Sequence, residues 1–242
     1  MMTTFVLMHG GGMGGWTWKF MRGILEAKGQ KVYTPTFTGF GEREHLISRS
    51  TGNDVHVLDV ANVLRYEDLE DVVLVAHSYA GTVAPGVLAK EGRRVRRVIF
   101  LDAIIAHAGE RIASLMGFAT EAEAAGLDAL LAAGEGPIGS GVHLQQREMA
   151  KTHPHMMDRE REQWLLDHLS DQPMRATSCA IAVGAEAITH PVDYVAAKHT
   201  IMGMMHERAR ALGWPVHEHP GDHAFNVGDP EGVCDIILGI VG

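Results

Sequence analysis

A serine stands where an apolar strand gives way to a helix, in Ala76-His77-Ser78-Tyr79-Ala80-Gly81. A nucleophilic serine needs a sharp turn at such a junction. The turn lifts Oγ above the sheet and aims the first amides of the helix at the same substrate atom. The residues two before and two after must be small for that turn to close. Here they are Ala76 and Ala80, small but without glycine's freedom at positive φ. Stripped of chemistry, Ser78 would serve as the N-cap of a buried helix. Pro220-Gly221-Asp222-His223 follows the last apolar strand. Fifteen histidines make a lone one uninformative. His223, however, occupies the place in the strand order from which a general base reaches the serine.

Directly after the first strand comes His9-Gly10-Gly11-Gly12, in a run with five glycines in six positions. A loop of that kind supplies preorganised backbone N–H groups to the oxyanion of an acyl transfer. Gly10, Gly12 and Gly15 also satisfy G-x-G-x-x-G, a dinucleotide fingerprint. A dinucleotide site needs an acidic residue at the end of the second strand to hold the ribose, and Tyr33-Thr34-Pro35-Thr36-Phe37 has none. The acid that would orient His223 has two candidates. Asp102 ends the strand Val98-Ile99-Phe100-Leu101, on the sheet edge of Ser78. Glu186 would serve if Ser178–Val183 were the sheet strand in place of Val192–Ala197. The spacing from Val192–Ala197 to His223 favours Asp102 and leaves Glu186 as the fallback. His217 and His219 share a face of the last strand close to His223, which raises a metal alternative. Their spacing misses the H-x-H-x-D-H pattern of zinc hydrolases by one residue and no second ligand cluster follows, so no metal is expected.

The elements that must position these residues alternate. Thr4–Met8 is a short apolar strand ending at the glycines, and Trp18–Lys28 an amphipathic helix stopped by Gly29. Lys31–Pro35 is a second strand, Asp54–Arg65 a helix, and Asp71–Ala76 a continuous apolar run of the kind buried on both faces of a parallel sheet. A helix follows to about Lys90, and Pro85 inside it predicts a kink. Val95–Leu101, Val192–Ala196 and Pro215–His219 complete the strands, with helices near Met202–Leu212 and Glu231–Val241. From about Ile104 to Thr177 the chain turns Ala-, Gly-, Met- and His-rich, with helical patches at Ala119–Ala133 and Arg159–Leu169. The pattern is an α/β fold: a mostly parallel sheet flanked by helices, with an inserted helical cap. Residues 1–103 and 177–242 form the core and 104–176 the cap, within a single domain.

Composition bounds the function. The 242 residues are 46% hydrophobic and 21% charged, an ordinary globular profile with one large core. A net charge of -9 would be repelled by a phosphate backbone, so nucleic acid is not an expected partner. Cys179 and Cys234 lie far apart, which argues against a disulfide framework or a thiolate zinc site. No stretch approaches the length of a membrane span, and the N-terminus lacks a basic leader. The expected setting is cytoplasmic, as a monomer or homodimer, with a small-molecule partner.

These residues resemble the α/β-hydrolase superfamily, and more narrowly its small cofactor-free branch of plant methylesterases, hydroxynitrile lyases and bacterial carboxylesterases, pyrethroid-hydrolysing ones among them. The likeness covers nearly the whole chain, through Phe5–Gly10, Gly14-Gly15-Trp16, Thr38–Arg43, Tyr66–Leu69, Val72–Gly81, Phe100–Ala103 and Gly221–Phe225. It implies Ser78 as nucleophile, His223 as base, and the amides of Gly11 and Tyr79 as oxyanion donors. Plant methylesterases place their acid after the later strand, whereas the bacterial carboxylesterases resemble this chain in having aspartate where Asp102 stands. Hydroxynitrile lyases carry a threonine at the place of Gly10 and a lysine at that of Ala224, which argues against cyanohydrin cleavage. Dehalogenases and most epoxide hydrolases use aspartate at the place of Ser78. The expected activity is a serine carboxylesterase without cofactor, acting on a small-to-medium apolar ester. Hydrolysis of a lactone or a carbon–carbon bond, or a silent ligand-binding role, are the alternatives. Met13, Met116, Phe118 and Trp164, with Met149, Met156 and Met157, are candidate pocket walls.

Overall fold

The computed structural model describes residues 2–242. Six strands build its sheet: β1 (Thr4–Met8), β2 (Lys31–Tyr33), β3 (Val72–His77), β4 (Val95–Leu101), β5 (Val192–His199) and β6 (Val216–Asp222). Their order is β2-β1-β3-β4-β5-β6, and each neighbouring pair is parallel. The chain moves outward from β1 to β2, returns to the far side of β1 as β3, and then steps steadily to β6. The order therefore reverses between β1 and β3. In open parallel sheets, the crevice beyond the carboxyl ends at such a reversal is where ligands bind.

Helices α1 (Lys19–Ala27), α2 (Asn53–Tyr66) and α3 (Ala84–Glu91) connect the first four strands. Between β4 and β5 the chain carries five helices: α4 (Ile112–Leu115), α5 (Glu121–Ala132), α6 (Val142–Ala150), α7 (Arg159–His168) and α8 (Arg175–Ser178). Then α9 (Gly203–Ala211) joins β5 to β6, and α10 (Phe225–Gly228) and α11 (Pro230–Val241) follow. Among the described residues no helix is long and apolar enough to cross a membrane.

Side chains alternate across each strand, so one apolar run feeds two cores. Val6, Met8, Val72, Leu74, Ala76, Val98 and Phe100 pack on one face with α2, α3 and α9. Phe5, Leu7, Val73, Val75, Ile99 and Leu101 pack on the other with α1 and α11. All six residues of β3 are buried, which is why it reads as unbroken apolar sequence.

The expected kink at Pro85 needs correction. Pro85 makes no mid-helix kink, because it stands in the first turn of α3, where its missing N–H has no helical partner to lose. The residues before it, Ser78–Thr82, form a 3-10 turn instead of the start of a long helix. Ser178–Val183 supplies no sheet strand, and β5 is the ladder neighbour of β4. Leu74→Ala is expected to lower the unfolding free energy by about 2–5 kcal/mol by opening a cavity. Leu144→Ala, at an exposed position of α6, should change it by less than about 0.5 kcal/mol. Urea denaturation of the two variants tests both.

Candidate active site

β3 delivers His77 to the sheet edge, and the chain turns sharply at Ser78, whose φ is 52°. A left-handed backbone costs a non-glycine residue about 1–2 kcal/mol, and strain of this kind gathers at functional sites. The positive φ falls on Ser78 itself and not on Ala76 or Ala80, so alanine serves at both flanking positions. Small size matters more at Gly10 and Gly81. A Cβ on Gly10 would stand 3.0 Å from Ser78 Cβ and 2.9 Å from His77 Nδ1. A Cβ on Gly81 would collide with the carbonyl oxygen of Ile104, whose own N–H donates to the Ser78 carbonyl at 2.9 Å.

The strands bring three side chains together. His223 Nε2 lies 2.9 Å from Ser78 Oγ, and His223 Nδ1 lies 2.6 Å from Asp102 Oδ2. With Nδ1–H donated to the carboxylate, Nε2 is left bare to accept from the serine hydroxyl. Asp102 follows the last residue of β4, fully buried, with a φ of 43°. It also accepts from Thr200 Oγ1 at 2.6 Å, His206 Nε2 at 2.7 Å and the Ala197 N–H at 3.2 Å. Burial opposes its charge, but the hydrogen bonds from His206, His223 and Thr200 outweigh burial and hold the carboxyl well below the usual carboxylate range. Glu186 is elsewhere. It is 44% exposed and accepts from His107 Nδ1 at 2.9 Å and the Ala108 N–H at 3.0 Å.

Of the two amides singled out in the sequence, the Gly11 N–H has no acceptor among the described residues. Tyr79 buries its ring in the core, with its hydroxyl 2.6 Å from His56 Nδ1. Its amide stays at the turn. Met13 lies beneath α7 beside Leu165, Leu169 and Ala224, and Met116 packs on the main core. Trp164 meets Trp16 edge-to-face along a groove of about 650 Å³ lined by none of Ser78, His223 and Asp102, and Phe118 is 67% exposed. His217 turns to Asp193 and His219 to Asp229. No group of three possible metal ligands occurs among the described residues.

The family model described as the alpha/beta hydrolase family matches residues 5–236. The chain belongs to that family. Among curated proteins it is similar to a carbendazim hydrolyzing esterase of Nocardioides sp. (strain SG-4G), 37% identical over 115 residues, 48% of each chain. It is also similar to a 2-hydroxymuconate semialdehyde hydrolase of Pseudomonas sp. (strain CF600), 30% identical over 98 residues, 40% of this chain and 35% of that one. Each match spans less than half of the curated relative's length. Among solved structures, an extracellular alpha/beta-hydrolase from a Paenibacillus species shares the fold at a TM-score of 0.75. It is 21% identical, with 98% of each chain covered.

Three buried histidines hold this hydrolase-family framework in place. His9 Nδ1–H donates to the Gly10 carbonyl at 2.8 Å and its Nε2 accepts from the Phe37 N–H at 3.0 Å, pinning the glycine loop. His56 Nε2–H donates to the Thr38 carbonyl at 3.0 Å, so its Nδ1 accepts from Tyr79. His77 Nε2–H donates to the His223 carbonyl at 2.9 Å, tying the serine turn to the base loop. None of these roles is visible in sequence, and neither is the convergence of Thr200 and His206 on Asp102. The one sequence trace is position, since Thr200 and His206 follow β5, whose end holds no carboxylate of its own. Burial pushes His9 and His77 down to about 3 and His56 to about 4.

An unfolded chain takes up a proton at each of these rings below about pH 6.5, and the folded chain does not. Their stability is thus complete above that pH. It is lost as the pH falls from about 6.5 toward 4, at about 1.4 kcal/mol per pH unit for each ring. Urea unfolding measured from about pH 7.5 down to 5 should show a steep decline, shallower in His77→Gln. A flat profile would mean that the rings are charged in the folded protein.

Proposed function

We propose that this chain is a serine carboxylesterase. The observation that carries the reading is the unbroken chain of hydrogen bonds from Ser78 Oγ through His223 to a buried, charged Asp102. It is joined by the unpaired Gly11 N–H on the neighbouring loop. In the proposed reaction Ser78 Oγ attacks the ester carbonyl carbon while His223 Nε2 takes its proton. Asp102 stabilises the imidazolium, and the amides of Gly11 and Tyr79 bind the oxyanion. The imidazolium gives its proton to the departing alkoxide, releasing the alcohol. Water, deprotonated by His223, then attacks the acyl-enzyme, and Ser78 leaves with the proton returned by the ring. The names of the curated relatives, an esterase and a hydrolase, support this class of reaction.

Residues 104–176 act in this reading as a helical cap over the serine. Its support is a set of contacts on the glycine loop and the loop after β2. Ser170 N–H donates to the Gly12 carbonyl at 2.9 Å, Gln146 Nε2 reaches the Gly11 carbonyl at 3.3 Å, and Ser170 Oγ accepts from the Gly41 N–H at 2.8 Å. The substrate is a small-to-medium apolar ester, with Met13 among the walls. A second reading, cleavage of a carbon–carbon bond beside a ketone by the same three side chains, draws on the likeness to the semialdehyde hydrolase.

A fluorophosphonate probe should label the protein stoichiometrically at Ser78, located by peptide mass spectrometry, and fail on Ser78→Ala. Labelling at another residue, or none, would sink the esterase reading. On p-nitrophenyl acetate, Asp102→Asn should lose about 10³–10⁴-fold in kcat through the wrong imidazole tautomer. Glu186→Gln should stay within about twofold, since that carboxylate touches His107 and not His223. Equal losses in the two variants would remove Asp102 from its assigned role.

A further inference from the structure

Two imidazoles meet one carboxylate. His223 Nδ1 and Thr200 Oγ1 lie on Asp102 Oδ2, each at 2.6 Å. His206 Nε2 and the Ala197 N–H lie on Oδ1, at 2.7 and 3.2 Å. A charged carboxylate can only accept, so His206 Nε2 carries the hydrogen. Its Nδ1 has no partner among the described residues.

The ring is held where it stands. Thr200 Oγ1 accepts from the Met202 N–H at 3.0 Å, which turns its own O–H toward Asp102. The Met202 carbonyl in turn accepts from the Met205 and His206 N–H groups at 2.7 and 3.3 Å, opening α9. The His206 ring meets Tyr194 of β5 edge-to-face, with 5.6 Å between centroids. Tyr194 is fully buried, its hydroxyl donated to the Ala103 carbonyl at 3.0 Å. Asp102 and Tyr194 are thus the titratable groups that meet His206 from beyond its own helix. Arg208 on that helix is paired with Glu110, at 2.6 and 2.8 Å. The His206 side chain is 13% exposed.

With a strong donor on each oxygen, the carboxylate cannot turn about its Cβ–Cγ bond without breaking one of them. Each donor also draws off part of the negative charge. Burial opposes that charge, and among the hydrogen bonds that offset burial His206 comes first, ahead of His223. We propose that His206 is a positioning residue for the base: it fixes the Asp102 carboxylate with Oδ2 turned to His223 Nδ1 and takes up part of the charge that would otherwise hold the proton on His223. Without it Oδ1 keeps only the long bond from Ala197, and the full charge falls on the imidazolium. His223 then binds its proton more firmly and hands it more slowly to the departing alcohol. The direction is the same whether His206 donates as imidazole or as imidazolium. His206 itself touches no substrate and transfers no proton. The proposal rests on the esterase reading for its effect on turnover, but not for its effect on His223.

Two readouts separate this role from a purely structural one. The first is the pH profile of kcat/KM on p-nitrophenyl acetate, whose acid limb reports the base of the free enzyme. In His206→Phe that limb should move up by about half to one pH unit, the scale of one hydrogen bond to a charged group. Its kcat should fall about tenfold, with KM within about twofold. In His206→Gln, whose amide restores an N–H close to the place of Nε2, the limb should return to within about 0.2 unit of the unmodified protein. The second readout is the His223 Cε1–H titration by proton NMR, identified by its loss in His223→Gln and followed in Ser78→Ala protein, where nothing turns over. It should rise by the same amount when His206→Phe is added. If the Phe variant melts below the assay temperature, His206→Asn, whose shorter amide stops short of Oδ1, takes its place. An acid limb and an NMR titration that stay put, a downward shift, or a shift that persists in His206→Gln would overturn the proposal. If the unmodified protein turns over no ester while the NMR shift holds, the esterase reading falls and His206 stands as the residue that tunes His223.

Discussion

A carboxylate sealed from water at the end of a central strand stays charged only if hydrogen bonds replace the solvent it has lost. Asp102 meets that demand with donors from three separate segments: His223 after β6, Thr200 and the Ala197 amide at the end of β5, and His206 on α9. The arrangement is mutual. The carboxylate draws these segments together, and they keep it ionised. Losing any one donor leaves a buried charge less well satisfied, so the site and the packing of β4, β5 and β6 form one unit.

The sheet order explains why that unit faces the serine. The reversal between β1 and β3 leaves a crevice at their carboxyl ends, and the glycine loop and Ser78 are the first residues beyond them. Backbone strain is concentrated at the same place, since both Ser78 and Asp102 have left-handed backbone. Neutral, buried histidines hold the strained segments. His9 fastens the glycine loop to Phe37, and His77 fastens the serine turn to the carbonyl of His223. Each has a fixed tautomer, because its carbonyl partner can be met only by an N–H. That rigidity suits a site whose proposed chemistry depends on donors being in place before charge develops.

The helices between β4 and β5 contribute in a different manner. Their outer surfaces carry exposed apolar residues such as Phe118 and Leu144, while the returning segment Ser170–Gln172 lies on the glycine loop. The contacts of the excursion with the glycine loop are thus made by a short polar stretch. Trp164 packs edge-to-face against Trp16.

Local signals were enough for the elements. The six strands, the serine turn and the glycine loop could be read from short-range pattern, because alternation, apolar runs and glycine punctuation are properties of neighbouring residues. The order of strands after the turn singled out His223 in the same way. Long-range partnership is not written in neighbouring residues. Asp102 and Glu186 were both compatible with the chain until the ladder showed that β5, and not 178–183, lies beside β4. Pro85 read as a kink because a helix start cannot be told from a helix interior when the turn before it is a 3-10 turn. His206 and Thr200 carry no local mark at all. Their importance comes from which atoms they meet across gaps of roughly a hundred residues, and only the packed tertiary structure determines that.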